Sequence, residues 1–281
     1  MLTTRHGVRV LAPADLQAFL ELARTDPVVN VFAIHRAETT GLDPRWLGGE
    51  MWGRFDGGDL VAACHVAANL VPVQAGPDDA RAFAERALAR RRTSSTIVGP
   101  QPAVREFWDL VAGHWGRPRD IRWDQRHLAI DVPPSVAPGD GVRAGQISDL
   151  PALYPACVAM YTEEVGVSPE VGGGGDLYRA RVTQLINRGW SFVWYDAGEL
   201  VFKAEVACAT TRAAQVQGVW VPPHRRGEGL ATAGMAALVE QVRARIAPTV
   251  SLYVNDWNHA ARAAYERVGF VETARFATVM F

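Results

Sequence analysis

The chain has 281 residues, 48% hydrophobic and 21% charged, a globular composition with enough length for one large domain or two small ones. A formal net charge of −1 supplies no field that would gather nucleic acid or an anionic membrane, and no apolar run approaches the ~18 residues of a membrane span. Seven histidines without HExxH-type spacing and three cysteines without CxxC spacing give no metal site and no disulfide frame.

The opening MLTTRHGVRV lacks a basic stretch followed by an apolar core, so the expected location is the cytoplasm, with Cys64, Cys157 and Cys208 as reduced thiols. Lys203 is the only lysine among 29 basic residues, a bias that fits a GC-rich bacterial genome. Along the chain, GVRVLAPADL at 7–16 is echoed by GVRAGQISDL at 141–150. GDLVAACHVAA at 58–68 is then echoed by GELVFKAEVAC at 198–208. Two echoes in the same order imply a duplicated unit of domain size. The Pro- and Gly-rich DVPPSVAPGDG at 131–141 reads as the join, which divides the chain into 1–132, a linker at 133–140, and 141–281.

In the second half, SDLPALYPACVAMYTEEV predicts a helix capped by Ser148 or Asp149. VGVSPEVGGGGD predicts a loop, and LYRARVTQLINRG a helix ending at Gly189. SFVWYDAGELVFKAEVACA predicts a hairpin turning at Asp196–Gly198, with AAQVQGVWV as a third strand. LATAGMAALVEQVRARIA predicts a helix closed by Pro248, TVSLYV a strand, and NHAARAAYERVG a helix capped by Gly269. FVETARFATVMF predicts a closing hairpin. The order gives an α/β (α+β) fold with a mixed, mostly antiparallel sheet flanked by helices.

Between the third strand and its following helix lies PPHRRGEGLA, residues 222–231. A helix start behind a strand offers free N–H groups and a partial positive charge, and glycines let a phosphate come close to the backbone. A Walker A loop would need a Lys-Ser/Thr ending, and a dinucleotide fingerprint a third glycine where Thr232 stands. Residues 215–231 resemble instead the cofactor motif of the GNAT acetyltransferase superfamily, a strand followed by [Q/R]-x-x-G-x-[G/A] and a helix. His224 departs from that pattern at its first position. NHAARAAY is similar to the late helix of the same superfamily, in which an Asn and a Tyr seven residues on face the cofactor; here these are Asn258 and Tyr265. EEVGVSP, FKAEV and QVQGVWVPP are similar to a bacterial GNAT subfamily with an uncharacterised N-terminal domain.

The resemblance implies tandem GNAT-like domains and an acetyl-CoA-dependent N-acetyltransferase that passes acetyl directly to an amine, leaving CoA. It implies a cofactor grip by Val219, Val221, Arg225, Arg226, Gly227, Glu228, Gly229, Leu230 and Ala231, completed by Asn258, Ala261 and Tyr265. In this reading Tyr265 protonates the departing thiolate, and the backbone N–H groups of Val219 and Val221 meet the acetyl carbonyl and the pantetheine arm. Asn258 also reads as a plain helix cap, and Tyr265 as an aromatic packed on the sheet.

Glu205 is the expected general base, although its place two residues from Lys203 equally suits an ion pair on one strand face. Glu163 and Glu164, just before the glycine-rich loop, and Gln217 are the expected acceptor-side residues. The first half has VQAGPDDARAF where the second has its glycine loop, His65 in line with Glu205, and Trp108 near the Tyr265 position. It therefore reads as a GNAT-like domain without a cofactor site. Mycothiol synthase is also a tandem GNAT protein, which keeps a small amino-sugar acceptor open. A CoA-binding sensor or scaffold without catalysis is the alternative of another class.

Overall fold

The computed structural model describes residues 6–281 and resolves them into two compact units. The first holds the chain up to His127 together with Tyr253–Trp257 and Glu272–Phe281; the second holds Leu128–Leu252 and Asn258–Val271. In chain order the elements begin with β1 (His6–Val10), α1 (Leu16–Ala23), α2 (Val31–Thr40), α3 (Pro44–Leu47), β2 (Glu50–Asp56), β3 (Asp59–Val66) and β4 (Asn69–Val73). They continue with α4 (Pro77–Leu88), β5 (Thr96–Pro100), α5 (Gln101–Trp115), β6 (Asp120–Ile130), β7 (Arg143–Ala144), α6 (Leu150–Val165) and α7 (Gly175–Asn187). The remainder are β8 (Ser191–Asp196), β9 (Glu199–Ala209), β10 (Ala213–Trp220), α8 (Leu230–Arg245), β11 (Thr249–Asn255), α9 (His259–Val268) and β12 (Val271–Met280).

In the first unit the strands run β1-β2-β3-β4-β5-β12-β6. All the registers given between them are antiparallel except β4 with β5. In the second unit they run β11-β10-β9-β8-β7, and only β10 with β11 is parallel. This is the mixed, mostly antiparallel sheet read from the sequence.

The echoes are structural. Arg9 donates to both oxygens of Asp15 at 2.7 Å, and Asp15 accepts the Ala12 N–H at 2.8 Å. Arg143 repeats this on Asp149 at 2.7 and 2.8 Å, with the Gln146 N–H at 2.7 Å. Each clasp ties the first strand of its unit to the turn before the first helix. Asp149 therefore spends its side chain on Arg143 rather than on capping α6. The hairpins match as well: β2–β3 and β8–β9 each carry one register irregularity, at Arg54/Phe55 and at Trp194/Tyr195.

The C-terminal segment corrects the expected closing hairpin. Val271–Met280 is one unbroken strand that pairs with β5 from Phe276↔Pro100 to Met280↔Thr96. FVETARFATVMF holds no Gly, Pro, Asn or Asp at its centre, so nothing in it turns the chain. The first unit accordingly includes C-terminal residues, which differs from the expected division at 132 and 141. A buried polar chain helps to hold them there. Thr278 Oγ1 donates to Gln125 Oε1 at 2.6 Å, and the Gln125 amide donates to Asn255 Oδ1 at 3.0 Å.

The first unit also buries two imidazoles. His65 is 2% exposed and stands edge-on to Phe32, and His127 is 0% exposed and stacks on Phe276. Nε2 of each has no partner. Burial lowers both from 6.5 to about 4, because a charged ring would have no water around it. The unfolded chain then binds more protons than the folded one between those values. Stability should be fully present above pH ~6.5 and be lost as pH falls toward ~4, by roughly 3 kcal/mol per histidine. His127→Phe should flatten that loss, read as the slope of unfolding free energy against pH; an unchanged slope would contradict burial in the neutral form.

Candidate functional site

The sequence QVQGVWV puts a glycine in the middle of β10, where a glycine marks a bulge or a close approach. The register bears this out. Gln217 pairs with Glu205 and Trp220 with Lys203, so three steps on β10 meet two on β9. Gly218 takes φ 63, in the left-handed region. Ahead of the bulge β10 has already left its other neighbour. It is in register with β11 only at Ala213↔Thr249, Ala214↔Val250 and Gln215↔Ser251, although β10 runs on to Trp220 and β11 to Asn255. The two strands part after Gln215, so the backbone at Val219 and Val221 lies outside the β10–β11 ladder.

The parting strand feeds the glycine loop. Gly227 and Gly229 have φ 87 and 83, and a Cβ on either would meet nothing within 4 Å, so the space in front of them is open. Gly229 is the N-cap of α8, a helix of 16 residues, and contributes no side-chain cap to its first-turn N–H groups. Leu230 and Ala231, half-buried, form that first turn. Gly234, one turn on, lets the helix lie on the sheet; a Cβ there would stand 2.6 Å from Phe202 Cδ2. A cap-free helix start behind two open glycines suits an anion with several oxygens.

The arginines are divided. Arg225 donates to Asp196 at 2.9 Å, Glu199 at 3.3 Å and Glu228 at 2.9 Å, which raises its already high basicity further. His224 Nε2 lies 2.7 Å from Glu199 Oε1. These two residues thus pin the loop to the β8–β9 turn, and Glu228 is spent on Arg225. Arg226 donates to the Val221 carbonyl at 3.1 Å and to Glu163 Oε2 at 2.7 Å. Glu163 also accepts the Trp220 indole N–H at 3.2 Å, so the end of α6 is tied to the loop.

On the α6 side of the sheet, Glu205 is buried at 6% exposure and accepts the Gln217 amide at 2.7 Å. Gln217 itself is exposed. On α9, Asn258 is the N-cap and accepts the Ala261 N–H at 3.2 Å. Tyr265, two turns on, is buried with its ring 5.9 Å from Phe270. Burial pushes its phenol well above the usual range, and the Glu164 carboxylate adds to this. A protonated, desolvated phenol is an acid held in reserve.

Sequence reasoning missed three parts of this arrangement: the bulge, the Glu163–Arg226 tie and the role of His224. Only the bulge had a local signal, the mid-strand glycine. A separate cavity of about 470 Å³, lined by Arg188, Trp190, Gln241 and Arg245 among others, opens at the far end of α8 from the glycines, and no candidate site residue lines it.

The first unit shows the same plan with its helix start occupied. β4 and β5 are in register only at Asn69↔Thr96 and Leu70↔Ile97. Its helix start, at α4, is already filled: Asp79 accepts the Gly76 N–H at 2.8 Å and pairs with Arg54, and Asp78 stands beside it. Trp108 is buried in the core against Phe281 at 5.8 Å.

Residues 177–270 match the family model of the GNAT acetyltransferases, and residues 49–153 match a domain of unknown function, DUF4081. No curated protein matches the chain. Among solved structures, a GNAT-family acetyltransferase from Colwellia psychrerythraea covers 98% of this chain and 99% of its own at 14% identity, TM-score 0.60. A GCN5-related N-acetyltransferase from Sphaerobacter thermophilus covers 99% and 96% at 21% identity, TM-score 0.60. A tandem GNAT protein from the clavulanic acid biosynthesis pathway covers 98% of each at 17% identity, TM-score 0.54. At these identities the likeness is one of fold.

Gly218 carries the geometry of this site. A Cβ there would lie 3.0 Å from Lys203 Nζ, 3.2 Å from Met160 Cε and 3.3 Å from Glu205 Cδ. Gly218→Ala should cost about 2 kcal/mol in urea unfolding, through the left-handed φ and these contacts. A loss below about 0.5 kcal/mol would mean the bulge relaxes without cost.

Proposed function

We propose that this chain, which carries a GNAT acetyltransferase-family domain over residues 177–270, is an acetyl-CoA-dependent N-acetyltransferase whose second unit alone holds the cofactor. The parting of β10 from β11 beside an uncapped, glycine-led helix start supports this reading most directly. It offers a slot for an extended arm that ends at an anion cradle. Bound there, acetyl-CoA supplies an activated thioester.

The backbone N–H groups of Gly227 to Ala231 hold the pyrophosphate, and Arg226 reaches it by exchanging Glu163 for phosphate. Arg225 and His224 act by ordering the loop. The Val219 N–H polarises the acetyl carbonyl, and the Val221 N–H holds the amide arm. Glu205 takes a proton from the acceptor ammonium, directly or through water, so that a neutral amine attacks. Tyr265 donates its phenolic proton to the departing sulfur, and Asn258 fixes the start of the helix that carries it. Gln217, Glu163 and Glu164 line the acceptor side.

The first unit, with Asp79 in its helix start and Trp108 in its core, binds no acetyl-CoA. A cytoplasmic setting is supported by three free, buried cysteines. The acceptor is an amine, on a small molecule or a protein.

Calorimetry should find one acetyl-CoA site per chain; two sites, or none, would overturn the assignment. A screen of amines read by release of free CoA thiol should find an acceptor, whereas binding without any turnover would leave a sensor. Tyr265→Phe should lower turnover about a hundredfold with acetyl-CoA affinity within about threefold of wild type. An equal loss in both would make Tyr265 a binding residue only.

A further inference from the structure

Lys203 is 1% exposed, and its Nζ meets no oxygen acceptor at hydrogen-bond distance. Isolating an ammonium in a protein interior costs several kcal/mol unless a counter-charge stands by. The counter-charge here is Glu205, whose Oε2 lies 3.9 Å from Nζ. That distance makes the contact ionic rather than a hydrogen bond. The other oxygen of Glu205 accepts the Gln217 amide at 2.7 Å. Gly218 and Met160 close over the pair. From α6 the Cys157 thiol stands near; burial pushes it up while the Lys203 ammonium acts the other way. From α7, the Tyr178 hydroxyl donates to the Cys157 carbonyl at 3.1 Å.

The first unit supplies an internal control. Met51↔His65 with Gly53↔Ala63, and Ser191↔Glu205 with Val193↔Lys203, are equivalent registers in the two matching hairpins. Ala63 and His65 therefore occupy the places of Lys203 and Glu205. The unit without an open glycine loop lacks the cation and the carboxylate together. Packing alone does not require this pair, since the same hairpin closes with alanine and histidine.

We propose that Lys203 is the positioning residue of the base: its ammonium is the fixed counter-charge that, with the Gln217 amide, holds the Glu205 carboxylate in one orientation beneath Gly218. Lys203 takes no part in the proton transfer, which runs between the acceptor and Glu205. The proposal rests on the reading of Glu205 as base.

As the only lysine, Lys203 can be observed alone. Protein grown on lysine labelled at Cε and Nζ carries a single labelled side chain. NMR at neutral pH should show one ammonium signal in slow hydrogen exchange with water, and Glu205→Gln should move it and speed the exchange. A neutral-amine signal, or one unmoved by Glu205→Gln, would overturn the proposal and leave the base reading standing. Lys203→Met, checked for native circular dichroism, should lower free-thiol release from acetyl-CoA at least tenfold with acetyl-CoA affinity within about threefold. Full turnover in that variant would also overturn the proposal. Full turnover in Glu205→Gln, with the lysine signal moved, would instead overturn the base reading and, with it, the purpose assigned to Lys203.

Discussion

One extra residue in β10 determines the shape of the second unit's site. A strand hydrogen-bonded on both edges has no free backbone to offer. The bulge at Gly218 breaks the β9 ladder, and past Gln215 the strand also leaves β11. The backbone around Val219 and Val221 thereby lies outside the β11 ladder. The same glycine, lacking a Cβ, leaves room for the Lys203 and Glu205 heads against the strand. A side chain at 218 would crowd both, so backbone freedom and charge placement depend on one position.

The two units show how a shared plan is turned to different ends. Both have an Arg–Asp clasp at the entry, the same irregular hairpin, and a parallel pair in register only at its start. They differ at the helix that follows the parting strand. In the second unit a glycine caps it and the first turn stays open. In the first, Asp79 folds back onto the Gly76 N–H, and two carboxylates sit in the first turn. Their negative charge satisfies the helix dipole, so a phosphate there would meet repulsion where the other unit offers attraction. A few residues at one helix start separate the two units on a shared strand plan.

What was legible in the sequence had local causes. The Asp196–Gly198 turn, the glycines at 227 and 229, and the seven-residue spacing of Asn258 and Tyr265 are short-range patterns with direct backbone consequences. The placement of β12 had no such signal: its partner β5 lies far back in the chain, and a strand of alternating residues does not name its neighbour. Nor does composition reveal that Tyr253–Trp257 sides with the first unit, since this follows from contacts made after folding. Arg225 was legible as a cation but not as one already claimed by Asp196, Glu199 and Glu228, which come from other turns.

That division of labour among the basic residues bears on how the loop would hold an anion. If both arginines faced a phosphate, the loop would carry two uncompensated charges when empty, and its conformation would depend on the ligand. With Arg225 and His224 committed to the β8–β9 turn, the loop is ordered in advance, and the cradle is left to backbone N–H groups that need no rearrangement. Arg226 is the exception. It rests on Glu163 at the end of α6, so in the proposed reading a phosphate that drew it away would release that carboxylate. Half-exposed pairs of this kind are worth little in water, so the exchange costs little in either direction. In the proposed reading the preformed backbone supplies the grip, and Arg226 links it to the end of α6.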